Sequence, residues 1–444
     1  AVESYYNALF RGRNIIFTIF LYFCAIKTIN ITQMKRFLYI ALSALYLFTS
    51  CQKDNNSEDN GSLISSNTSF PMMAWIGLSP QSSTEAYQEM KQAGLNYNMY
   101  TYYSTLSQVK EALNKMQNLQ MKSIVSCSEL STDTEATIKA LKDHPAVAGW
   151  FMADEPSMKD LDKIAAKMKR FQQIDKKGIC YVNFLSIDTS EKQLGASFNA
   201  YLEKATRTLP LQMLSSTFYP IVLNKGAKER TVNGLWYKNL EVFSAKAKEL
   251  RIPLWTLVLS SSHPLGEGGY PEPTLADLRL QLYTNLAYGS QLMQFFTYTT
   301  PPDNLTYKAP IAPDGSKNAT YYRLAQANAE VQKLSGVFVG AKMLNVWHTG
   351  KSIPAGTKRL VLPKNFEVLK TGDIGATVSL LQNGSRYYLM IVNHSPLKTL
   401  PLEIKATAEV QEVSKEARLL PVDWTTSKTY TLEAGDMRLF SWTK

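Results

Sequence analysis

The sequence predicts an α/β chain built as a (β/α)₈ (TIM) barrel followed by a small antiparallel β-sandwich. Three observations support this. Between Phe70 and about Gly340, some eight short apolar runs alternate with amphipathic stretches of helical spacing. No glycine-rich phosphate loop follows the first run, which argues against an open doubly wound sheet. After Gly340 the rhythm changes to β-rich segments separated by Asn-Gly and Gly-Asp turns. At 444 residues, 45% hydrophobic and 19% charged, the chain has ample apolar material for both parts.

The front end reads as a processed address. From Met34 the order is Lys35-Arg36, the apolar run Phe37–Phe48, then Thr49-Ser50-Cys51. A basic start, a short apolar stretch and small residues before a cysteine resemble a bacterial lipoprotein signal, with Cys51 the lipid-modified residue. The run is too short to span a bilayer. Residues 1–50 are thus expected to be an upstream segment and signal peptide, and polar residues 51–69 a flexible tether. The expected location is the cell envelope, lipid-anchored to the outer membrane and facing the exterior or the periplasm. Residues 1–50 hold five Lys/Arg and one Asp/Glu, so +4 of the formal +11 belongs to them. The remaining basic residues are dispersed, which disfavours nucleic acid as a partner.

In the barrel segment, residues 70–340, apolar runs begin near Met72, Leu95, Met121, Val147, Gly178, Leu211, Ile252 and Gln291. Helical spacing recurs in Val109/Leu113/Met116, Leu161/Ile164/Met168/Phe171, Leu240/Phe243/Ala247/Leu250 and Leu324/Ala327/Val331/Leu334. Thr132 with Glu135, and Thr274 with Asp277, read as capping boxes, and Gly94 and Gly289 fall where helices should end. Residues 341–444 supply the sandwich through Thr377–Leu381, Tyr387–Val392 and Arg438–Trp442. Cys127 and Cys180 sit in apolar runs and read as free buried thiols. No Cys/His cluster has metal-ligand spacing, and no cofactor is called for.

The chemistry concentrates in Val147-Ala-Gly-Trp-Phe-Met-Ala-Asp-Glu-Pro156, an apolar strand that stops at two carboxylates and a proline. Strict alternation puts Val147, Gly149, Phe151, Ala153 and Glu155 on one face. Small residues at 149 and 153 suit a crowded barrel interior, so Glu155 should point inward at the carboxyl end of the fourth strand. A solvated surface turn is the plain alternative.

His144 to Pro156 on a fourth barrel strand, with a β-domain behind the barrel, resembles the acid/base strand of clan A-type glycoside hydrolases. The resemblance implies that Glu155 protonates a glycosidic oxygen, with Asp154 in the usual Asn position binding sugar or tuning Glu155. It also implies a carbohydrate substrate and a second carboxylate, usually Glu, at the end of strand 7. That strand ends in serines here. Glu267 and Glu272 lie in the following loop, where Glu267 reads either as the partner carboxylate or as a solvated acid. Glu129 is a further candidate, as a substrate contact or a helix cap. Trp75, Tyr100, Tyr102, Tyr219, Trp255 and Tyr298 could present rings to the apolar face of a pyranose or pack the core. Asn183 and Gln294 are candidates for hydroxyl contacts or for an interior polar layer, and His263 for a substrate contact or a structural or solvated role. The rival reading is a non-catalytic glycan-binding lipoprotein on a degenerate barrel.

Overall fold

The computed structural model of the chain describes residues 62–64, 68–102, 105–224, 226–227, 229–265 and 268–444. Each of the eight apolar runs contains a strand: β1 (Met72–Trp75), β2 (Tyr97–Met99), β3 (Lys122–Val125), β4 (Val147–Asp154), β5 (Ile179–Asn183), β6 (Leu214–Ser216), β7 (Leu254–Leu259) and β8 (Ser290–Phe296). They pair in parallel in the order β5-β4-β3-β2-β1-β8-β7-β6. The ring closes where the Phe184 amide donates to the Ser215 carbonyl (2.9 Å) and the Thr217 amide to the Phe184 carbonyl (3.0 Å).

A helix follows every strand: α1 (Thr84–Gln92), α2 (Leu106–Asn118), α3 (Thr134–Leu141), α4 (Leu161–Ile174), α5 (Phe198–Thr208), α6 (Leu235–Leu250), α7 (Leu275–Ala287) and α8 (Ala319–Lys333). Their buried residues keep the expected spacing, as in Leu161, Ile164, Met168 and Phe171 of α4. Thr274 and Asp277 form a reciprocal capping box at the start of α7. The box expected at Thr132 does not form. Thr132 ends a one-turn helix, Glu129–Thr132, and Asp133 precedes α3 without a side-chain cap bond. Cys127 and Cys180 are buried and free. Among the described residues, no helix is long and apolar enough to cross a membrane.

Beyond the barrel lie β9 (Lys342–His348), β10 (Phe366–Lys370), β11 (Ala376–Asn383), β12 (Arg386–Asn393), β13 (Leu400–Ala406), β14 (Gln411–Val413), β15 (Arg418–Leu420), β16 (Lys428–Leu432) and β17 (Met437–Thr443). One antiparallel sheet runs Ser62–Leu63, β15, β14, β17, β12, β11, β9, and a second runs β10, β13, β16. Ser62 and Leu63, within the segment expected to be a tether, pair with Leu419 and Arg418. Main-chain pairing to a sheet edge needs no apolar sequence, so a polar segment can add there. In β12, Leu389 and Ile391 face the second sheet, while Tyr388, Met390 and Val392 join the core shared with the barrel. Period-two alternation thus buries both faces of the larger sheet.

A charged cluster crosses between the two parts. Arg279 of α7 donates from Nε to both carboxylate oxygens of Glu330 in α8 (3.2 and 3.0 Å). Lys415, between β14 and β15, donates to Glu330 (3.0 Å) and also pairs with Asp436. Burial pushes the Glu330 carboxyl up, but Arg279, Tyr283 and Lys415 together hold it below its ordinary value of 4.5. Such a lowered carboxylate contributes stability above its unfolded value and loses it as pH falls through the folded one. The Glu330→Gln protein is therefore expected to lose about 2–3 kcal/mol at pH 7. Denaturant melts should show the gap to wild type narrowing in acid, and a gap independent of pH would refute this account.

Candidate active site

β4 does not keep strict alternation. Its register against β5 shifts between Phe151 and Ala153, so Phe151 pairs with Tyr181, Ala153 with Val182 and Asp154 with Asn183. Met152 is the extra residue of this bulge. Phe151 lies in the barrel interior, its ring 5.9 Å from that of Tyr181, while Ala153 packs against the outer core. The inward position at the strand end therefore belongs to Asp154, which corrects the expectation for Glu155. Glu155 stands just past the strand in the left-handed region (φ 49°), and its amide still donates to the Asn183 carbonyl (2.8 Å). The reason inferred for Gly149 changes as well. A Cβ there would come within 2.1 Å of the Ile179 carbonyl oxygen, so close approach of β5 requires glycine.

Asp154 ends a hydrogen-bonded chain across the barrel interior. The Trp75 indole donates to the Tyr181 hydroxyl (3.1 Å), which donates to Gln294 (2.5 Å). The Gln294 amide donates to Ser215 (2.8 Å), and Ser215 donates to the Asn183 carbonyl oxygen (2.7 Å). The Asn183 amide nitrogen then donates to Asp154 (2.9 Å) and to Thr217 (2.7 Å). Asp154 as a residue is exposed, yet its carboxyl is set among protein atoms. That partial burial pushes it up to about 6, opposed by the Asn183 amide and reinforced by the neighbouring Glu155 charge. Glu155 is open to solvent.

An aromatic wall rises beside these carboxylates. Tyr219 stacks on Phe296 (5.4 Å) and meets Tyr270 edge-on (5.5 Å). His263 stacks on Tyr307 (4.1 Å) and lies 4.7 Å from Tyr270. Burial pushes the His263 imidazole down to about 4, so it is neutral at physiological pH and can donate from one nitrogen only. Burial and the charges of Asp188 and Glu155 push the Tyr270 phenol up to about 12. Trp255 and Trp75 are 5% and 6% exposed and pack the interior, the latter with its N–H engaged. Tyr298 is 1% exposed and also packs. Tyr100 and Tyr102 form a tilted pair (5.6 Å), and the Tyr102 hydroxyl donates to Asp303 (2.8 Å).

The remaining acids divide differently from the sequence reading. Of the two roles open to Glu129, substrate contact or helix cap, the bonds it makes are those of the cap. Its carboxylate accepts from the Leu106 amide (2.8 Å) and from Ser128 (3.0 Å), so it serves the start of α2, and the Leu106 bond holds it below the ordinary range. Glu272 pairs with Arg323 (2.7 Å). Ser260 and Ser261, at the end of β7, bond the main chain of Thr297 (3.0 Å) and Phe296 (3.3 Å) and lash β7 to β8. Glu267 and Cys51 lie outside the described residues. Among the described residues, no group of three or more His, Cys, Asp or Glu is arranged to hold a metal ion. Sequence reasoning missed Tyr181, Ser215 and Thr217 in the interior chain, and Tyr270, Phe296 and Tyr307 in the wall. Tyr181 could have been found, since it sits two residues before Asn183 on the same face of β5. The loop aromatics carry no periodic signal.

No family model matches the chain, and no curated protein sequence matches it. Solved structures do. A catalytic mutant of Gan42B, a GH42 β-galactosidase from G. stearothermophilus, is 8% identical, with 87% of this chain and 100% of that one covered at a TM-score of 0.54. A β-galactosidase from the psychrophilic Marinomonas ef1 is 11% identical, with 60% of each chain covered and a TM-score of 0.43. This chain therefore spans about 60% of the Marinomonas enzyme's length. The endo-β-1,4-mannanase of Thermotoga petrophila is 9% identical, covering 83% and 99% at 0.41. The first of these shows the fold, a barrel like those of clan A glycoside hydrolases.

Carbon-detected NMR should find the Asp154 carboxyl titrating near pH 6. Glu155→Gln should lower that midpoint by removing a like charge, and Asn183→Ala should raise it by removing a donor to the ionised form. Opposite signs would break the proposed coupling.

Proposed function

We propose that the protein is a glycoside hydrolase cleaving an extracellular oligo- or polysaccharide at the carboxyl-terminal mouth of the barrel. The observation that carries this reading is the step from Asp154 to Glu155: one carboxylate is anchored in the interior chain, and the next is free to solvent beside the aromatic wall. In this reading Glu155 gives its proton to the glycosidic oxygen as the bond from that oxygen to the anomeric carbon breaks. Water completes the reaction at the anomeric carbon, and its proton restores Glu155. Asp154 binds a sugar hydroxyl. Glu267 is the proposed partner carboxylate, on its position in the loop after β7. The rings of Tyr219 and Tyr270 suit the apolar face of a pyranose. The lipoprotein-like signal supports placing the enzyme on the outer membrane, held through lipid at Cys51.

One observation favours the rival, a surface protein that binds glycan without cleaving it. Ser260 and Ser261 stand where the resemblance calls for a strand-7 Glu, and both hydroxyls are committed to the β8 main chain. A glycan panel separates the two readings. Glu155→Gln is expected to reduce turnover by about 10²–10⁴-fold, and equal hydrolysis by wild type and variant would sink the assignment. Glycan affinity without turnover, undiminished in Glu155→Gln, selects the binding protein.

A further inference from the structure

A second cavity of about 550 Å³ opens on the same face of the barrel, away from Asp154 and Glu155. It lies between the loop after β1 and the long connection after β8, and Ser79, Ser82, Glu85, Tyr100, Tyr298 and Pro302 are among its walls. Tyr100, one of its walls, pairs with the Tyr102 ring (5.6 Å), whose hydroxyl donates to Asp303 (2.8 Å).

Both walls are built rather than incidental. On one side, the buried Asn98 side chain accepts from the Leu78 amide (2.8 Å) and donates to the Leu78 carbonyl (3.0 Å). The Tyr87 hydroxyl donates to the Leu78 and Ser79 carbonyls (3.1 and 3.0 Å), and Lys115 donates to the carbonyls of Pro80 and Ser82. On the other side, the Thr299 hydroxyl reaches the Ile76 and Gly77 carbonyls (3.0 and 3.1 Å), and that of Thr300 reaches the Tyr307 and Ile311 carbonyls (both 3.3 Å). Fixed walls spare a ligand the entropy of ordering them.

The lining combines hydroxyls, a phenol ring and proline faces, which are the complements of a neutral polyol with an apolar face. Its charge is acidic. Of its two lining carboxylates Glu89 is paired to Lys317 (2.6 Å), leaving that of Glu85 to repel anionic sugars. We infer that this cavity is a separate subsite for a neutral sugar unit of a longer glycan whose scissile bond lies at the central mouth. The inference rests on the glycan-active reading above, and it makes the substrate an oligomer long enough to cross from β4 to the β1–β8 side.

Ala312→Trp fills the cavity and Tyr100→Ala removes its ring wall, whereas Tyr100→Phe keeps the ring. The probes are neutral gluco-, manno-, xylo- and galacto-oligosaccharides of two to six units, with KM measured on the wild-type background and Kd on the Glu155→Gln background. Both disruptive variants should raise the ratio of long-chain to disaccharide KM and Kd by about tenfold, and Tyr100→Phe should keep the wild-type ratio. A ratio unchanged by Ala312→Trp and Tyr100→Ala overturns the subsite while leaving Glu155 in its role. Full turnover by Glu155→Gln overturns the catalytic reading alone, and the Kd ratio still decides the subsite. No binding of any ladder by the wild-type protein overturns both.

Discussion

Inside the barrel, polar side chains from β1, β4, β5, β6 and β8 are linked from Trp75 through Tyr181, Gln294, Ser215 and Asn183 to Asp154, and this chain is the constraint on which the mouth depends. Each bond is worth only about 1 kcal/mol net, but leaving one of these buried groups unpaired costs about 1–3 kcal/mol. Shifting β5, β6 or β8 would break bonds on both sides of it. The chain thus sets the height of Asp154 relative to Tyr181 and Gln294, and Glu155 follows one residue later.

The bulge at Met152 has a chemical consequence as well as a geometric one. With strict alternation Glu155 would point into the crowded interior and Asp154 toward the helices. The shifted register instead gives the interior donor, Asn183, to Asp154 and leaves Glu155 in the open mouth. The two neighbouring carboxylates consequently occupy different surroundings: one among protein atoms and pushed up to about 6, the other solvated. Different environments are what allow adjacent acids to take different parts in proton chemistry.

The β-sandwich is joined to the barrel by more than a linker. Tyr388, Met390 and Val392 of β12 share a core with the barrel, and Lys415 places a cation between Glu330 and Asp436. Both faces of the larger sheet are covered. Its barrel-facing residues would be an exposed apolar surface in isolation.

Short-range patterns were enough to locate all eight strands and the helices α2, α4, α6 and α8, because periods of 2 and 3.6 residues reflect burial that each segment experiences along its own length. The same patterns picked out Asp154, Glu155, Asn183 and Gln294, polar residues within or at the ends of apolar runs. They left Glu129 undecided between substrate contact and helix cap, since its Leu106 partner lies 23 residues earlier, and they failed on the orientation of Glu155, because a bulge is a property of two strands rather than one. They were silent about Tyr270 and Tyr307, which meet His263 only once the loops after β7 and β8 fold together. The sequence by itself determined the order of elements and the presence of two acids at the end of β4. Only the tertiary structure decided which acid faces inward, since that choice depends on register with β5 and on where Asn183 finds its acceptor.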